Sequence, residues 1–109
     1  PNYIDACNNL AAIYLDEANI YIEKKNKLPI NASQKKYDSL TNKIKSLRLQ
    51  AVPYLEKVLL LEPTDLVIIE TLKQIYYQLE MDQKSLSMKK LKDLPDDMKP
   101  AFVQDYFNN

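Results

Sequence analysis

The stretch YDSLTNKIKSLRLQAVPYLEKVLLL, residues 37–61, decides the fold. Tyr37, Leu40, Ile44, Leu47, Ala51, Tyr54, Val58 and Leu61 fall at alternating spacings of three and four. That is an a/d pattern held over about four heptads, and it predicts a long amphipathic helix with a coiled-coil-like seam. Leu55 and Leu59 widen the apolar face toward the C-terminal end. Pro53 lacks an amide proton and crowds the carbonyl of Leu49, so a kink or a break into two helices is expected there. Glu62-Pro63 ends the segment. Its start is expected near Asn31 or Ser33, with Asn31 and Gln34 fitting a capping box.

The same periodicity extends to both sides. Upstream, Tyr3, Cys7, Leu10, Tyr14, Ala18 and Tyr21 form a helical stripe, broadened by Ile4, Ala11, Ile13, Leu15 and Ile22. Asn2 suits its N-cap and Asp5 its first turn. This helix should run to about Lys25, where Lys24, Lys25 and Lys27 suit the negative pole, and Pro29 stops it. Downstream, Thr64 is the expected N-cap of a helix through Leu66, Ile69, Leu72, Ile75, Tyr76 and Leu79 to about Glu80. Asp82 is expected to cap a shorter helix carrying Leu86, Met88, Leu91 and Leu94, which Pro95 stops. After a joint at Asp96–Lys99, Pro100 can open a terminal helix with Phe102, Val103, Tyr106 and Phe107. The sequence therefore predicts an all-α chain of four main helices and a short C-terminal one.

Composition narrows the chemistry. The 109 residues contain no glycine and no histidine. Without glycine, positive-φ hairpin turns and phosphate-cradling loops are disfavoured. Without histidine, the commonest general base and metal ligand are missing. The serines lack a nucleophile–base partner, and adjacent carboxylates such as Asp16-Glu17 do not face one another on a helix. No catalytic, cofactor-binding or metal-ligating residues are assigned. Asp93, Asp96 and Asp97 lack the ligand spacing of a calcium loop and read as helix-end residues. Cys7 is the single cysteine, so no intrachain disulfide forms.

Fifteen cations balance fifteen anions, and Arg48 is the one arginine. A nucleic-acid-binding domain would carry a basic excess, so no nucleic-acid partner is expected. No apolar run approaches the ~18–20 residues of a membrane span. Asn31-Ala32-Ser33 is a glycosylation acceptor only in a eukaryotic secreted protein. The lysine, asparagine and isoleucine content points to an AT-rich bacterial genome. The chain opens at Pro1, which reads as an excised domain or a processed form, cytoplasmic or, after loss of a signal peptide, periplasmic or at the cell envelope.

Two segments look alike: CNNLAAIYL (7–15) and IETLKQIYY (69–77). Leu10 matches Leu72, Ile13 matches Ile75 and Tyr14 matches Tyr76. With AVPYLEKVLLLEPTD (51–65) between them, the arrangement resembles the tetratricopeptide repeat (TPR), a helix–turn–helix unit of about 34 residues. Leu10, Ala11 and Tyr14 would be its helix A set, and Ala51, Leu55, Val58 and Pro63 its helix B set. Cys7 and Ile69 stand where the family has an aromatic residue, and Lys73 where it has a small one. The family's short turn is replaced by an excursion from about Asn19 to Gln50. An insertion of roughly 28 residues, about four turns on each arm, would project the first hairpin roughly 20 Å beyond its neighbour.

The resemblance implies an elongated first hairpin (1–63), a second hairpin (64–95) and a C-terminal capping segment (96–109). These would be the last repeats of a longer bacterial TPR protein serving protein–protein interaction or scaffolding. The implied concave groove is lined by Asp5, Asn8, Ala12 and Asp16 on one helix. Val67, Glu70, Gln74, Tyr77 and Gln78 line it on the other. It is mildly acidic, so the expected partner is a neutral or basic protein or peptide. Self-association through the a/d seam is the alternative, ahead of a helical nucleic-acid-binding module. Lys24, Lys25, Lys27, Lys35 and Lys36 at the hairpin tip read as a solvated turn, with an acidic partner or anionic membrane surface as the sharper option.

Overall fold

A computed structural model describes residues 2–108, excepting the side chain of Asn2, so the Asn2 cap lies outside the described side chains. The fold is all-α. Helix α1 spans Asn2–Asn26, α2 Gln34–Leu61, α3 Leu66–Gln78, α4 Asp82–Asp93 and α5 Lys99–Asn108, with a 3-10 turn at Asp96–Met98 before α5. Helices α1 and α2 pack as one hairpin and α3 and α4 as a second, while α2 also contacts α3 and α5. The molecule measures 53 × 30 × 20 Å. At 1.5 Å per residue, α2 is roughly 40 Å long and α3 roughly 20 Å, so the first hairpin overhangs the second.

The main core lies at the base of the long hairpin. Cys7 and Ala11 of α1, Ala51, Leu55, Val58 and Leu59 of α2, and Ile69, Leu72 and Tyr76 of α3 are buried there. Met88 and Leu91 of α4 and Val103 of α5 complete it. Phe102, Tyr106 and Phe107 pack against its edge, and α5 contacts α2 and α4. Small residues mark the α1–α2 contact. Ala11, Ala18 and Ala51 are all at most 2% exposed, and Cβ-only side chains allow close helix approach. Ala18, Ile44 and Leu47 are buried outside the main cluster, within the arms.

Several local expectations are corrected. Of the kink or break expected at Pro53, the break is absent, since helix α2 is continuous through it. Pro53 and Leu49 are both exposed, so water can serve the carbonyl that Pro53 cannot. The N-cap of α2 is Ser33, whose Oγ accepts from the Lys36 amide at 3.2 Å, while Gln34 bonds to Asp38 instead of closing a box with Asn31. The N-cap of α3 is Asp65, not Thr64. Asp65 Oδ1 accepts from the amides of Val67 at 3.0 Å and Ile68 at 3.3 Å. A carboxylate serves the positive helix pole better than a hydroxyl, and the helix starts one residue later. Met81, not Asp82, is the cap of α4, without a side-chain bond.

Helix α3 stops at Gln78 because Glu80 turns to φ 61°. The Met81 amide bonds to the Tyr76 carbonyl at 2.8 Å and the Glu80 amide to that of Tyr77 at 3.0 Å. These are the paired bonds of a Schellman motif, with glutamate at the position glycine usually takes. On α1, Leu10 is 38% exposed and Ile13 59% exposed, so the covered stripe is Cys7, Ala11 and Ala18. Among the described residues, helix α1 packs directly on one helix, α2, and one partner covers only one narrow face.

Candidate functional site

The nine groove residues expected from the sequence sit on two helices. Asp5, Ala12 and Asp16 are exposed on α1 and Asn8 is half-buried. On α3, Val67, Gln74, Tyr77 and Gln78 are exposed and Glu70 is half-buried. Among the described residues, no Cα of α1 lies within 8 Å of a Cα of α3, and α2 packs on both helices. The two sets therefore do not adjoin through direct helix packing.

The α3 set forms the better-built surface. Val67, Glu70 and Gln74 share a depression of about 400 Å³ with Leu66, Thr71 and Lys92. Asp65 starts the helix one residue before Leu66, and the 3.6-residue period then aims positions 67, 70, 71 and 74 outward. Val67 is 72% exposed and Tyr77 71% exposed, beside Leu66 at 54%. Tyr77 stands outside the depression, and Gln78 lines a different cavity.

Charge on this face differs from the sequence expectation. Glu70 lies 3.1 Å from Lys92 of α4 and 3.4 Å from Lys73. The Lys92 contact, followed by that of Lys73, holds the Glu70 carboxyl below the usual carboxylate range. The one acid of the α3 set is thus neutralised. Lys92 was missed by sequence reasoning because it comes from another helix through tertiary packing, for which no local spacing gives a signal.

A second polar cluster joins three helices. The Tyr76 hydroxyl donates to Glu56 Oε2 at 2.5 Å, and the buried Tyr106 hydroxyl comes in beside it. Burial first, and then the Glu56 contact, pushes the Tyr76 phenol far above its ordinary value. Burial also raises that of Tyr106. Such phenols stay protonated and act as donors, not as nucleophiles. Glu56, Tyr106, Lys84, Phe102, Asp105 and Phe107 line an open depression of about 630 Å³ beside them. Tyr14 and Tyr54 stack at 6.1 Å between ring centres. Several cations near the hairpin tip lie over rings: Lys24 is 4.9 Å from Tyr21, Lys25 4.8 Å from Tyr37 and Lys43 5.7 Å from Tyr21.

Among the described residues, no three Cys, Asp or Glu side chains converge as a metal site, and no helix is long and apolar enough to cross a membrane. Comparison of the chain with protein-family models, with curated proteins and with solved structures found no match in any of the three.

Proposed function

We propose that this chain is a protein-interaction or scaffolding module of TPR type with no reaction of its own. One observation carries the reading: the outer face of α3 exposes Leu66, Val67 and Tyr77 around a carboxylate that two lysines neutralise. Apolar and aromatic groups on a rigid helix, rimmed by paired charges, suit capture of a partner segment. Because Glu70 is paired, the favoured partner is neutral and apolar more than basic. The test is selection from a random peptide library on the purified protein. The selected peptides should lose about tenfold or more in affinity to V67E and Y77A, as expected for anchor residues. Peptides that bind both variants unchanged would place the interaction elsewhere.

Self-association is the second reading, and the exposed stripe Tyr3, Leu10, Ile13 and Ile20 on α1 favours it. On the a/d seam of α2, Ile44, Leu47, Ala51 and Val58 are buried within the fold, which leaves Tyr37 and Leu61 exposed to a partner. Sedimentation at rising concentration decides between the readings. A dimer that L10E/I13E dissociates supports self-association, and a monomer throughout removes it.

A further inference from the structure

A separate cavity of about 380 Å³ lies where the overhanging arms meet the α3–α4 turn. Its charged lining is Lys25, Lys45, Arg48 and Glu80, three cations to one anion. Thr41, Asn26 and Asn42 add hydroxyl and amide groups, and Ile22, Ile44 and Leu79 supply apolar surface.

Arg48 is the distinctive residue. It is the chain's single arginine, it is half-buried, and no hydrogen bond or ion pair to another described residue satisfies its guanidinium. Partial burial lowers its pKa from the ordinary value, and no carboxylate offsets that effect. Five fixed donors in a concave, partly desolvated setting favour an oxyanion that can accept two of them at once. Lys45 is exposed and makes no ion pair among the described residues, whereas Lys25 is tethered at the edge over the Tyr37 ring. A helix-end role for Arg48 would show as a bond to a terminal carbonyl, and among the described residues none is made.

The turn adds a second observation. Glu80 holds a left-handed backbone in a chain with no glycine, and it lines the same cavity. That conformation ends α3, and it sets the Glu80 carboxylate at the cavity's rim. Its carboxylate makes no ion pair with the cavity's cations.

We infer that this cavity is a binding site for a phosphomonoester with an apolar body, gripped by Arg48 and Lys45 and seated against Ile22, Ile44 and Leu79. The net charge of the lining, two positive, matches a phosphate dianion. The cavity volume falls within the range of small-ligand sites. The inference stands apart from the peptide-binding reading, since Val67 and Tyr77 line no part of this cavity.

The test is NMR titration of the whole chain with phenyl phosphate, inorganic phosphate and acetate. Phenyl phosphate should saturate with a Kd of ~1 mM or below, shifting the amides of residues 41–48 and of Leu79 and Glu80. It should bind several-fold more tightly than inorganic phosphate, and acetate should bind weakest. R48Q and K45Q should each weaken binding about tenfold, the worth of one charge-assisted contact. E80Q should tighten it by removing the opposing charge. K36Q, at the tip, should leave it unchanged. The spectra report whether each variant is folded, and K45Q, at an exposed position, carries the test if R48Q is not. Absence of saturation, equal binding of the three anions, or a loss in K36Q matching that in K45Q would overturn the site.

Discussion

Glu80 shows what a chain without glycine does when a helix has to end. The Schellman motif after α3 needs a left-handed residue, and an L-residue with a Cβ adopts it at roughly 1–2 kcal/mol. Glycine removes that cost but loosens the unfolded chain by about 0.4–1 kcal/mol. E80G should therefore stabilise the fold by about 0.5–1 kcal/mol, read as a higher midpoint in urea with unchanged slope. Tyr76 argues the opposite way. Its hydroxyl is buried against Glu56, so Y76F leaves that carboxylate short of a donor and should cost about 1–3 kcal/mol. The raised phenol pKa also sets a sign with pH. The folded chain keeps a proton that the unfolded chain releases near pH ~10, so this contribution is whole below that value and is lost as pH rises beyond it. In Y76F the alkaline fall in stability should be shallower, as pH-dependent denaturation will reveal.

At the scale of elements, the corrected caps can be checked directly. D65A removes the acceptor for two amides of α3 and should cost about 1 kcal/mol, whereas T64A should be nearly silent. Thermal melts of the pair distinguish the two positions; equal losses would return the cap to Thr64. Much of this level was legible in the sequence. Spacings of three and four located the long helices, because burying one face of a 3.6-residue helix leaves that trace. Pro29, Pro63 and Pro95 marked the joints. The covered stripe of α1 was legible in part: Cys7, Ala11 and Ala18 lay in it, but the exposure of Leu10 was not readable, since Leu10 and Ala11 fit helical spacing equally well. The number of neighbours decides between them, and that is a tertiary fact. The choice between a kink and a break at Pro53 was not legible, because it turns on which side of the helix meets water. The candidate surfaces were legible only in part. Val67, Glu70 and Gln74 follow from the α3 period, but Lys92 and the meeting of Arg48 with the α3–α4 turn depend on how the hairpins pack.

For the whole molecule, the burial pattern divides the chain into two tiers. Five helices contribute to the main cluster at the base, while Ala18, Ile44 and Leu47 hold the arms beyond it. Amide hydrogen exchange should reflect this division. Protection at Leu72, Ile75 and Leu91 should approach the global unfolding free energy, and residues 20–42 should exchange through smaller openings. Uniform protection along α1 and α2 would mean that the hairpin opens only with the whole fold.

Mechanically, the long hairpin is a cantilever. It is clamped where Cys7 and Ala51 are buried and free along its outer length, with one crook beneath it where Arg48 and Lys45 meet the turn at Glu80. Flexing of the beam widens or narrows that crook, and whatever lodges there becomes a brace between beam and wall.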